Sequence, residues 1–157
     1  MSIAHGQGTY QVRFDWGEPG AAAIAPGAHL VVWIDQLGSD RSFGFEVVED
    51  VELELATLET APDVANRALE RQTGSGGRFV IAVVAAGAPR PDGSLRFAVE
   101  DLLAAGAVIE ALAAVGIDHQ SPEAAAAASA YTGLKNATRH LISASASSRE
   151  ARESSDA

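Results

Sequence analysis

Apolar residues in this chain follow two periods, and the change from one to the other marks its elements. Residues 78–87, RFVIAVVAAG, form a β-branched apolar run without polar alternation, which predicts a strand covered on both faces. A break rich in Pro, Asp and Gly follows, and then the period lengthens. Val99, Leu102, Leu103, Gly106, Ile109, Leu112 and Ala113 recur at intervals of three and four, the stripe of a helix that packs on a sheet. Residues 30–34, LVVWI, predict a second two-sided strand, and it ends on Asp35. Upstream, residues 9–16 alternate well enough for a first strand, with Val12 and Phe14 on one face and Arg13 and Asp15 on the other. A turn at 17–20 and a short helical piece at 21–25, stopped by Pro26-Gly27, join these two strands.

Between 45 and 59, Val47, Val51, Leu53 and Leu55 alternate with Glu46, Glu49, Glu52 and Glu54. This predicts one bent strand or two short ones with a wet acidic face, not a metal cluster. A helix over 63–72 follows, with Thr60 as cap, Pro62 in the first turn and a stripe of Val64, Ala65, Ala68 and Leu69. The glycines at 74, 76 and 77 invite a phosphate-loop reading. A phosphate cradle, however, needs a strand before the glycines and a helix start after them, and here the order is reversed. They read as a connector. Ser121-Pro122-Glu123 opens an alanine-rich helix that Gly133 bends or interrupts, and residues 143–157 are polar and expected to fray. The order β, short α, β, β, α, β, α, α predicts an α/β layered domain over 1–145 with a mixed, largely parallel central sheet flanked by helices. A polar tail at 146–157 completes the chain.

Composition narrows the chemistry. At 157 residues the chain is long enough for one real core, and it has no cysteine, which removes disulfides, thiolate catalysis and cysteine–zinc sites. Twenty-one acids against 11 bases give a formal charge of −10, and the bases are scattered, so nucleic acid is a poor partner. No apolar run reaches the roughly 18 residues of a membrane span, and the first residues lack the pattern of a secretory signal. A cytoplasmic protein without membrane or nucleic-acid partners is the expectation. Two acidic positions stand out. Asp35 sits at the carboxyl end of a buried strand, and Glu100–Asp101 sit in the first turn of the helix after another; open α/β sheets bind ligands at such places. The plainer alternatives are a turn-capping Asp35 and acids that only complement a helix dipole.

Several blocks carry a resemblance. Residues 12–17 (VRFDWG), 20–35 (GAAAIAPGAHLVVWID) and above all 81–112 (IAVVAAGAPRPDGSLRFAVEDLLAAGAVIEAL) resemble the 2-phosphosulfolactate phosphatase family, as do 121–131 and 143–152. The blocks cover about two thirds of the chain in the family's order. The resemblance implies an α/β fold, a Mg²⁺ ion and hydrolysis of the phosphate ester of a small sulfonated or carboxylated hydroxy acid. It departs after Asp35, where Gln36-Leu37-Gly38 replaces the family's hydroxyl-rich helix start, and the family's phosphate-holding middle loops are missing. On the implied chemistry, Asp35 and Asp101 are the candidate catalytic residues and Asp35, Glu100 and Asp101 the candidate Mg²⁺ ligands. Adjacent residues on a helix point about 100° apart, so Glu100 or Asp101, but not both, is expected to join Asp35 on one ion. Arg13 and Arg96 are the candidate contacts to the small phosphorylated acid. The alternative is a catalytically degenerate relative that binds or assembles, with small helix faces suited to a homodimer.

Overall fold

A computed structural model describes residues 2–38 and 50–157. The loop expected at 39–44 and the first third of the alternating stretch at 45–59, residues 45–49, lie outside those residues. Four strands, β1 (Val12–Trp16), β2 (Leu30–Ile34), β3 (Glu52–Ala56) and β4 (Ile81–Ala85), form an entirely parallel sheet in the order β1-β4-β2-β3. The two inner strands are the two unbroken apolar runs, β2 and β4, and every residue in them is buried. The outer strands are the two with alternating patterns. β3 is exposed or half-buried over most of its length, as an edge allows, whereas β1 is covered through Phe14.

Helix α1 (Gly17–Ile24) links β1 to β2 and lies on the face presented by Val31, Trp33, Ala82 and Val84. Helix α2 (Ala61–Ser75) links β3 to β4 and covers the opposite face, packing on Val32, Ile34, Val83 and their neighbours. The two crossovers run in opposite directions across the sheet on opposite faces. They therefore share one hand, as the expected right-handed βαβ rule requires of a doubly wound sheet. After β4 a small hairpin, β5 (Ala88–Pro89) with β6 (Leu95–Arg96), replaces the simple loop expected there. Gly87 turns the chain into it at φ +70°, and a side chain at that position would press on the Arg96 carbonyl and Leu95.

Helix α3 (Val99–Ala114) follows, and it is buried over far more than one stripe: Ala104, Ala105, Ala107 and Val108 are sealed as well as Leu103, Ile109 and Leu112. The reason is α4 (Pro122–Leu134), which packs along α3 and also rests on β1, so that α3 is enclosed between the sheet, α2 and α4. A side chain at Gly106 would collide with the Ala127 carbonyl of α4, so glycine there sets how closely the two helices approach. Ser121 caps α4 through its hydroxyl, 3.0 Å from the Ala124 N–H, with Pro122 at the first position, as the sequence predicts. The long alanine-rich helix breaks as expected near Gly133, passing through a 3₁₀ turn (Lys135–Ala137) into α5 (Thr138–Ser143). The tail expected to fray is helical instead. Ser145 caps α6 (Ala146–Ser155) through its hydroxyl, although none of that helix is buried. Among the described residues no helix is long and apolar enough to cross a membrane.

Candidate functional site

The carboxyl ends of β2 and β4 lie side by side, and that adjacency brings together acids some 65 residues apart in sequence. Asp35 follows β2, and Glu100 and Asp101 open α3, which begins beyond the hairpin after β4. Asp101 is 2% exposed, and both of its oxygens accept backbone N–H groups: Oδ1 from Gln36 at 2.8 Å and Oδ2 from Gly87 at 2.9 Å. It ties the exits of the two central strands to each other. Gln36 extends the tie, its Oε1 accepting the Leu58 N–H at 2.6 Å and its Nε2 donating to Glu59 beyond β3. The Gln36 amide is the chief reason the Glu59 carboxyl titrates below its usual range.

Burial governs the titration of two of these acids, Asp101 and Asp35. Asp101 is pushed up to about 7, first by desolvation and further by the charges of Asp35 and Glu100, against the two N–H bonds that hold it down. Asp35 is raised in the same way: burial leads, the Gly38 N–H opposes it and Glu100 adds to it. Glu100 is 3% exposed and has no hydrogen bond among the described residues. Its carboxylate thus repels two neighbours and pairs with nothing described. Of the three, Asp35 lines a cleft of about 190 Å³, together with Trp33, Leu55, Thr57 and Thr60. Gly38 wraps over it so tightly that any side chain there would strike the Asp35 carboxylate.

The expected cations do not join this cluster. Arg13 is the second residue of β1, at the amino rim of the sheet, about three residues' rise or ~10 Å below the carboxyl end. It is 4% exposed, and its guanidinium is spent on main-chain carbonyls: Nε on Tyr10 at 3.2 Å, Nη1 on Ile24 at 2.9 Å and Pro26 at 2.7 Å, and Nη2 on Gly8 at 3.4 Å. Such an arginine staples the N-terminal segment to the end of α1 and cannot reach a ligand at the opposite rim. Arg96 lies on the correct rim, in β6, but its Nη2 faces Glu150 of α6 at 3.4 Å, while its buried Nε has no partner. Gln36 and Glu59 are the residues that the sequence pattern did not single out. Their signal is positional, because each follows the carboxyl end of a strand within three residues.

A hard divalent ion such as Mg²⁺ takes one or two carboxylates and completes its shell with water and substrate oxygens. No group of three or more metal-ligating side chains is assembled among the described residues. Asp101 is occupied by two backbone donors, so the described residues do not fit a three-carboxylate cage, and Asp35 and Glu100 are the carboxylates left outside that tie. Fold and site together define a small doubly wound α/β domain in which three acids stand at the carboxyl rim of the central strands without an ion pair among the described residues. No family model, curated protein or solved structure matches the chain.

Proposed function

We propose that the protein is a Mg²⁺-dependent phosphomonoesterase acting on a small phosphorylated hydroxy acid, as its sequence blocks resemble. The observation that supports this reading is the meeting of Asp35, Glu100 and Asp101 at one rim, where Asp35 and Glu100 act on the Asp101 carboxyl and Glu100 on that of Asp35. A divalent cation relieves that repulsion, and when bound it would neutralise the non-bridging oxygens of a phosphate ester. Asp35 and Glu100 are the proposed ligands. Asp101 is a positioning residue that fixes Gln36 and Gly87, and with them the backbone on which Asp35 is mounted. Arg96 is the proposed anion contact, since its unpartnered Nε is a free half of a bidentate fork.

The test is a Mg²⁺ titration of p-nitrophenyl phosphate hydrolysis at pH 8. The expected result is saturable Mg²⁺ dependence and a loss of about a hundredfold on Asp35→Asn. Turnover indifferent to both the ion and the substitution overturns the reading. A second reading is favoured by the positions of Arg13 and Arg96, the one at the far rim and the other against Glu150. In that reading the scaffold binds or assembles without turnover, as a homodimer through the exposed alanines of α4, such as Ala125 and Ala126. Mg²⁺ binding without hydrolysis, together with a dimer in sedimentation, distinguishes it.

A further inference from the structure

Adjacent strands β1 and β4 send their following helices, α1 and α3, to opposite faces of the sheet, which makes their carboxyl ends a topological switch point. Leu95 of the hairpin fills the crevice itself, standing where a side chain on Gly17 would lie. Beside it opens a groove of about 300 Å³ that the acidic rim does not use. Its walls are aromatic. Phe14 and Trp16 meet edge to face at 5.8 Å, and Trp16 and Phe97 lie tilted at 5.4 Å, with Leu102 and Ala127 completing the apolar surface. Phe97 is 57% exposed although its ring lies against Trp16, an unusual place for a phenylalanine.

The charge at the groove has one sign. Asp15 and Glu123 are among its lining residues, and no Lys, Arg or His is. Asp15 Oδ1 accepts the Trp16 N–H at 2.7 Å, whereas Glu123, exposed in the first turn of α4, has no ion pair among the described residues. An anionic ligand would meet two carboxylates and the field of a chain carrying −10. A neutral apolar ligand would cover the rings and leave those carboxylates without a countercharge. An alkylammonium satisfies both, its positive head over the ring faces and beside Glu123 and its carbon body on Leu102 and Ala127.

We propose that this groove is a binding site for a small organic cation, a substituted ammonium with an apolar body, held by Trp16, Phe97 and Glu123. The proposal is independent of any chemistry at Asp35. The probe is choline, compared with 3,3-dimethylbutan-1-ol, which has the same shape without the charge. The readout is the indole N–H resonances of the two tryptophans, assigned with Trp16→Phe.

The expected result is a saturable shift of the Trp16 resonance by choline, with the alcohol at least about tenfold weaker. Phe97→Leu is expected to weaken choline about three- to tenfold and Glu123→Gln about threefold, while Asp35→Asn leaves it unchanged. Equal binding of the alcohol, indifference to Phe97→Leu, or no saturable shift overturns the proposal. So does a dimer that Phe97→Leu dissociates and choline does not, because the groove would then be covered by a second copy of the chain.

Discussion

The two rims of the sheet hold buried charge in opposite ways. At the amino rim, Arg13 is surrounded by the carbonyls of Gly8, Tyr10, Ile24 and Pro26, and its positive charge is accepted entirely within the fold. At the carboxyl rim, none of the three acids has an ion pair among the described residues, and the described donors to Asp101 are two main-chain N–H groups. The first arrangement is closed, and burial lowers the arginine's pKa without discharging it. The second is the arrangement that an external cation would relieve under the proposed function. What differs is how the charge is answered: four main-chain carbonyls accept from Arg13, which among the described residues has only Arg78 as a charged neighbour, whereas Asp101 is answered by two N–H groups against two acids.

Breaking the closed rim should have the largest effect. Arg13→Met leaves the Ile24 and Pro26 carbonyls without their donor, and a loss of about 3–5 kcal/mol in urea unfolding is expected, with the response to Mg²⁺ retained. A loss below about 1 kcal/mol would mean the staple is not structural.

The next largest effect is pH dependence at the open rim. An acid whose folded pKa exceeds its unfolded value binds more protons in the native state between those values, so stability is full below the unfolded pKa and is lost as pH rises through the folded one. For Asp101 the window runs from the model-peptide 3.8 to about 7, and Asp35 acts in the same direction. Wild-type stability is expected to fall by on the order of 1–3 kcal/mol from pH 4 to pH 7.5 through these groups, and Asp101→Asn to flatten that slope. Superimposable wild-type and Asp101→Asn melting profiles across this range would count against it. Magnesium added at pH 7.5 should restore part of the loss, and it should do little at pH 4.5.

Two smaller effects sharpen the contrast. Gln36→Ala removes the acceptor of the Leu58 N–H and the donor to Glu59, and about 1 kcal/mol of destabilisation is expected by thermal melting. Asp35→Asn removes one of the mutually repelling charges, so stability at pH 7.5 should rise by up to about 1 kcal/mol while the stabilisation by Mg²⁺ disappears. A destabilised Asp35→Asn that still responds to Mg²⁺ would show the two rims to be alike.

Much of this arrangement can be read in the residues. The apolar runs of β2 and β4, the acid at the end of one and the acids opening the helix after the other, and the Ser121-Pro122 cap all follow from local patterns, because periodicity and capping act within a few residues. The carboxyl-rim meeting of Asp35 with Glu100 and Asp101 is legible once the strands are taken as parallel neighbours. Arg13 is the instructive departure. The alternation suggested a strand from residue 9, but pairing begins at Val12, because Tyr10 N–H bonds Gln7 in a tight turn and Gln11 N–H bonds the His119 carbonyl. Moving the strand's start by three residues places Arg13 at the amino rim. The Gln7 side-chain amide then pairs with both the N–H and the carbonyl of Phe14, occupying the free edge of β1.

By itself the sequence determined the four sheet strands and the helices α2, α3 and α4, which strands are covered on both faces, and which acids stand at element ends. All of these follow from short-range spacing of side chains. Only the tertiary structure decided that β4 lies between β1 and β2, that Gln36 N–H closes on Asp101, and that the aromatic residues of β1 and the hairpin form a groove with the start of α4. Those are contacts between segments tens of residues apart. They are set by strand order and helix packing, which no local period encodes.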